Sequence, residues 1–214
     1  MKKTTVLQFS LLLCLLTPGI SFAEGNEGDG PAGVLKLNFS RLNVDQNQLS
    51  NRSRHTGGGL TFTFYPQESG SIGYDLERYT LSNRYSTRLP ATIINDYEDR
   101  MTVETDILSI GARVHTGTKP LRFYAAAGFA FVENDIKVDP VVPVAPKLKE
   151  YDYTSSYYIG GGADLVFGKS SKNRSFVLSW DYRMYRYDST FYKFDLRNVQ
   201  LGGYMTSIGL GWEF

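Results

Sequence analysis

The chain has 214 residues, with 23 Lys and Arg against 22 Asp and Glu and a formal charge of +1, so no large field is available to hold nucleic acid. One cysteine, Cys14, excludes a disulfide-stapled fold. Tyr, Phe and Gly number 15, 13 and 21, and no long segment has helical periodicity, which points to a sheet rather than a helical bundle.

Lys2 and Lys3 precede an apolar run from Val6 to Leu16, followed by Pro18-Gly19 and Ser21-Phe22-Ala23. This is the order of a secretory signal peptide, with small residues where the peptidase cuts. Residues 1–23 are therefore expected to be removed before Glu24. That leaves no cysteine and shifts the formal charge to −1, as 21 cations then face 22 acids. The run is too short to span a bilayer as a helix, and no later stretch reaches the required length of about 20 apolar residues. Leu13 is too large for the residue that precedes a lipidated cysteine. Residues 24–32, rich in Gly and acids, read as a flexible leader, and 33–214 as one domain.

From Gly33 onward, eight segments alternate apolar and polar residues with the period of a strand. Leu35, Leu37 and Phe39 oppose Lys36, Asn38 and Ser40; Leu60, Phe62 and Phe64 oppose Gly59, Thr61 and Thr63; Ile72, Tyr74 and Leu76 oppose Asp75 and Glu77. In the fourth segment Leu108, Ile110, Ala112 and Val114 oppose Ser109, Gly111, Arg113 and His115, but Met101, Val103 and Ile107 keep the other phase. That slip predicts a bulge near Asp106 or a strand that runs beyond a bilayer. The fifth sets Phe123, Phe129 and Phe131 against Arg122, Tyr124 and Gly128; the sixth sets Tyr157, Ile159 and Leu165 against Gly160, Gly162 and Asp164. The seventh sets Phe176, Leu178, Trp180 and Tyr182 against Ser179, Asp181 and Arg183. In the last, Tyr204, Ile208, Leu210, Trp212 and Phe214 form an apolar face over residues that, Met205 apart, are small or polar.

Connections alternate in length. Pro66 to Ser69, Gly117 to Pro120 and Gly168 to Arg174 read as short turns; Val44 to His55, Leu81 to Arg100, Glu133 to Glu150 and Tyr187 to Asn198 read as long loops. Aromatics fall into two sets: Phe64, Phe123, Phe167, Phe176, Trp212 and Phe214 at the short-turn end, and Phe39, Phe131, Tyr157, Tyr182 and Tyr204 at the other. Two rings of aromatics suit the two interfaces of a bilayer. In a soluble barrel or sandwich the aromatics would instead fill a core, which leaves the secretion signal and the final aromatic without a joint explanation.

The signal peptide, the eight dyad strands, the short-turn and long-loop rhythm and the ending Leu210-Gly211-Trp212-Glu213-Phe214 resemble the small outer-membrane β-barrels of the OmpA/OmpX type. The resemblance covers nearly the whole mature chain and is specific for architecture rather than activity. It implies an all-β fold, an eight-stranded antiparallel up-and-down transmembrane barrel with short periplasmic turns and longer extracellular loops, integral to the bacterial outer membrane. It also implies delivery by the outer-membrane assembly machinery, which reads the terminal strand (Tyr204, Ile208, Leu210, Trp212, Phe214), and contact with outer-membrane lipid and lipopolysaccharide. No peptidoglycan-binding domain is expected after Phe214.

Inward positions carry Lys36, Asp75, Glu77, Arg113, His115, Arg122, Asp164, Asp181, Arg183 and Glu213. Eight strands enclose just enough room for side chains, and buried charges must be paired. The set predicts a salt-bridged plug; the alternative is a narrow ion or solute path, as in OmpW-like barrels. Small-barrel enzymes that act on lipid A need a histidine beside a serine and a carboxylate at the outer side. His115, followed by Thr116-Gly117, departs from that pattern and sits at a periplasmic turn, while His55, near Ser53, reads as a solvated loop residue. No enzymatic activity, cofactor or metal is expected. Tyr79 to Arg88 and Arg183 to Arg197 mix Tyr or Phe with Arg or Lys, the residues enriched where surfaces bind partners, and Asp139 to Pro146 reads as an extended loop broken by prolines. The expected role is a non-enzymatic surface protein whose loops touch lipopolysaccharide or an unknown ligand.

Overall fold

A strand with one apolar face becomes stable when paired edges leave no backbone group open and each face finds its own medium. The computed structural model describes residues 33–44, 54–66, 71–87, 99–116, 120–139, 148–168 and 175–214, so the expected signal peptide and leader, and most of the short turns, lie outside it. The elements are β1 (Gly33–Val44), β2 (Arg54–Phe64), β3 (Ile72–Thr87), β4 (Asp99–Thr116), β5 (Leu121–Asp139), β6 (Leu148–Phe167), β7 (Ser175–Tyr185), β8 (Asp188–Phe191), β9 (Leu196–Gln200) and β10 (Gly203–Glu213). Eight of them close an antiparallel barrel in the order β1-β10-β7-β6-β5-β4-β3-β2, while β8 and β9 form a separate hairpin. Closure runs from Val34 opposite Glu213 to Val44 opposite Gly203. Beyond it, Gly33 N donates to Phe214 O at 2.8 Å and Phe214 N to Gly33 O at 3.0 Å.

Large apolar side chains point outward in a belt. Phe39, Phe129, Ile208 and Leu210 are each more than half exposed, at 76, 69, 58 and 57 %, a cost that water would not allow over a continuous surface. On β5 the belt runs from Leu121 to Phe131. Ten steps along a strand rise about 33 Å, which a tilt of about 40° reduces to about 25 Å, the height of a hydrocarbon layer. Aromatic rings stack at both rims: Phe167 on Phe176 at 6.1 Å with Trp212 beside it at 6.5 Å, and Tyr182 on Tyr204 at 5.6 Å.

The strands differ in length. β3, β4, β5 and β6 have 16, 18, 19 and 20 residues, against 11 or 12 in β1, β2, β7 and β10, so one side of the barrel rises past the belt as a four-stranded wall. β4 pairs with β3 and β5 in one unbroken register, and of the two expectations for this strand the extension is correct and the bulge is not. Its odd-numbered residues face inward throughout: Arg113 and Ser109 low in the barrel, then Ile107, Val103 and Met101, all buried. The apparent change of phase is a change in what fills the barrel.

Two expected contact loops are also corrected. Tyr79 to Arg88 is largely strand β3, and Tyr79 is fully buried in the barrel. The stretch after β7 is the β8–β9 hairpin, with a 3-10 turn at Tyr192–Phe194. Asp195 and Asn198 hold φ of 52° each, a left-handed conformation that short polar side chains tolerate. The proline segment after Asp139 falls outside the described residues.

Candidate functional site

The lumen is filled in two storeys. In the lower one, inward positions of all eight strands bring together residues far apart in sequence, Arg183 and Glu77 being 106 apart. Arg113 Nε donates to Asp75 Oδ1 at 2.7 Å and Oδ2 at 2.8 Å, and Arg113 Nη2 lies 3.9 Å from Glu77 Oε1. Arg183 holds Glu77 with both terminal nitrogens, Nη2 to Oε1 at 2.5 Å, and Ser109 Oγ donates to Glu77 Oε2 at 3.1 Å. Lys36 Nζ sits between Asp164 Oδ1 at 3.7 Å and Asp181 Oδ2 at 3.8 Å. Asp181 also accepts a hydrogen bond from the Tyr124 hydroxyl. Nearest the periplasmic end, Arg122 Nη2 reaches Glu213 Oε2 at 2.7 Å.

All nine charges expected in the lumen (Lys36, Asp75, Glu77, Arg113, Arg122, Asp164, Asp181, Arg183 and Glu213) are buried. Guanidiniums also stack on rings, Arg113 over Tyr124 at 4.3 Å and Arg183 over Tyr158 at 4.8 Å, a favourable contact once both are desolvated. The inward glycines are occupied rather than open. A Cβ at Gly162 would stand 2.6 Å from the Tyr124 hydroxyl, and one at Gly128 would stand 2.7 Å from the Tyr158 ring. These glycines exist to seat the two tyrosines across the bore.

The upper storey is apolar. Leu42, Leu81, Met101, Val103, Ile107, Val132, Ile136 and Met205 line it from the strands, and Phe191, Phe194, Val199 and Leu201 enter from the hairpin and the residues after it. A polar thread ties cap to wall: Thr105 Oγ1 donates to Asn134 Oδ1 at 2.8 Å, and Asn134 Nδ2 to Ser189 Oγ at 2.7 Å. His55, expected in solvent, is instead fully buried on the inner face of β2, with Nδ1 3.4 Å from Thr105 Oγ1. The polar neighbourhood Asn51 to Arg54 concealed its inward phase. His115 is partly buried, and its Nε2 lies 2.5 Å from the Tyr65 hydroxyl; both rings belong to the lower packing.

The hairpin also covers a sheet edge. β6 loses its β7 partner above Tyr158, and acidic side chains there accept the hairpin's amides: Thr190 N to Asp152 Oδ2 at 3.1 Å, and Tyr192 N and Lys193 N to the two oxygens of Glu150 at 3.0 and 2.8 Å. On the outer face of the wall, Lys137 bonds Glu104 at 2.5 Å and Asp135 at 3.3 Å, and Lys149 bonds Asp135 at 2.9 Å. Burial pulls the Lys137 ammonium down, but these carboxylates outweigh it and raise it above its ordinary value. Tyr204, Ile208, Leu210, Trp212 and Phe214 of the last strand all face outward. The hairpin and the apolar storey were missed in the sequence; their signal was the apolar phase of Met101, Val103 and Ile107.

A closed eight-stranded barrel with an apolar outer belt, two aromatic rims and a filled lumen is the architecture of the small outer-membrane β-barrels. Among solved structures, the chain is similar to the outer membrane protein OprG from Pseudomonas aeruginosa, with a TM-score of 0.54 at 13 % identity, covering 88 % of this chain and 99 % of that one. It is also similar to Neisserial surface protein A (TM-score 0.48, 11 % identity, 85 % and 96 % covered) and to Ail of Yersinia pestis (0.47, 10 %, 85 % and 94 %). At such identities the likeness to OprG establishes the fold alone. No family model and no curated protein matches the chain.

Proposed function

We propose that this protein is an integral outer-membrane barrel without enzymatic activity, closed to solute flow, that acts through its outer surface. The carrying observation is the two-storey lumen: a paired charge cluster low in the bore and an apolar core above it, sealed by the β8–β9 hairpin. A conducting path needs a continuous wet bore, and hydrophobic constrictions oppose wetting. The surface available for contact is the wall that rises past the belt. Tyr151, Tyr153 and Tyr192 are 41, 61 and 75 % exposed there, beside exposed Lys193 and Arg197. Exposed aromatic and cationic groups on a rigid sheet suit lipopolysaccharide head groups or a ligand outside the cell. The outward apolar face of β10 fits recognition by the assembly machinery. Current recordings in planar bilayers test the closed barrel: the purified protein is expected to give no discrete openings, and reproducible openings overturn this reading. Lipid A acyl patterns should be unchanged on expression, and a changed pattern would establish an enzyme.

A further inference from the structure

The outward face of the barrel divides by charge just above the belt. Strands β10, β1, β2 and β3 are neighbours, and their outward positions carry Arg41, Arg54, Arg78 and Arg84, all exposed, with no acidic side chain among the described residues. The outward acids Asp106, Glu104 and Glu133 lie on β4 and β5. At the edge of the basic sector, reaching from it onto β7, is a groove of about 360 Å³, open to the side, that crosses β2, β1, β10 and β7. Its lower walls are belt residues, Phe39, Trp180 and Ile208; its upper rim is Arg41, Thr56 and Thr206.

Sequence explains the depression. Phe39 is flanked across β2 by Gly58, and Arg41 is flanked across β10 by Thr206, so bulky side chains stand beside short ones. Arg41 uses Nε on Asn43 Oδ1 at 3.2 Å and makes no ion pair among the described residues. Among the described residues its terminal nitrogens have no hydrogen-bond partner, and they form the donor fork that matches a phosphate.

We infer that this groove binds one molecule of a phosphorylated acyl lipid of the outer leaflet, with a phosphate on Arg41 and an acyl chain against Phe39, Trp180 and Ile208. The inference rests on the reading of the chain as an outer-membrane barrel and adds a discrete site to it. Height decides the occupant: the groove spans the step from belt to polar rim, so only a molecule that is apolar below and anionic above meets both halves. Arg54 and Arg78 flank the same sector and supply further positive potential for a second phosphate.

The test is native mass spectrometry of the refolded mature chain in detergent, titrated with bis-phosphorylated lipid A, with its dephosphorylated form and with phosphatidylcholine. One bis-phosphorylated lipid A is expected to be retained per barrel, with the other two lipids lost at least tenfold more readily. Arg41→Ala should weaken retention about tenfold, and Arg41→Lys should recover part of it. Thr206→Trp, which fills the groove from the outside of the barrel, should abolish the discrete complex without changing the heat-modifiable gel mobility of the folded barrel. Equal retention by all variants, or equal retention of all three lipids, overturns the site. Outer-membrane fractionation of the expressed protein is scored separately: a correctly inserted barrel with no retained lipid refutes the groove alone, whereas a barrel absent from that membrane refutes the parent reading.

Discussion

Glu77 accepts hydrogen bonds from Arg183, Ser109 and Thr61 while Arg113 stands at 3.9 Å. Its removal would leave a buried guanidinium without its main counter-charge, which costs more than the pair contributes when intact. Glu77→Ala is therefore expected to destabilise the barrel by about 3–5 kcal/mol, read as urea unfolding in detergent. Glu77→Ala combined with Arg183→Ala should recover part of that loss, and strict additivity of the two would count against direct coupling. Surface charge behaves differently. Lys137 is about a third exposed at its side chain, so Lys137→Ala should change stability by less than about 1 kcal/mol despite its two carboxylate partners. The lower charges were legible in the sequence because each sits opposite an apolar outward neighbour. Their partners were not, since Arg183 meets Glu77 across the bore and only the closed register places them together.

At the scale of the element, the β8–β9 hairpin turns an open mouth into a closed one. Phe191 is fully buried within the apolar storey, and Phe191→Ala should cost about 3–5 kcal/mol. Hydrogen exchange should then speed up in 188–200 while the belt strands stay protected. Glu150→Ala combined with Asp152→Ala should raise exchange at the amides of Thr190, Tyr192 and Lys193 alone, because those carboxylates are their acceptors; unchanged exchange would show that other groups satisfy them. The hairpin escaped sequence reading for a physical reason. Two strands of four and five residues interrupted by a turn have too few alternations to display a period, and their burial depends on the cavity that the longer strands create.

The whole molecule is an inverted protein below and an ordinary one above: polar inside and apolar outside within the belt, apolar inside and polar outside beyond it. Two independent seals follow from that arrangement. Replacing 188–200 with a Gly-Ser linker is expected to expose the apolar storey, measured as increased binding of a hydrophobic dye, yet to leave the barrel non-conducting because the charge cluster still fills the bore. Steady current through that variant would show that the hairpin is the sole seal. By itself the sequence determined the barrel, its eight strands, the outward belt and the inward charges, because a bilayer imposes strict alternation that single residues obey locally. Only the tertiary structure decided that β4 runs straight, that His55 and Tyr79 point inward, and that a hairpin fills the mouth. Those outcomes depend on where strands outlast their neighbours, a property of register and closure that no local period encodes.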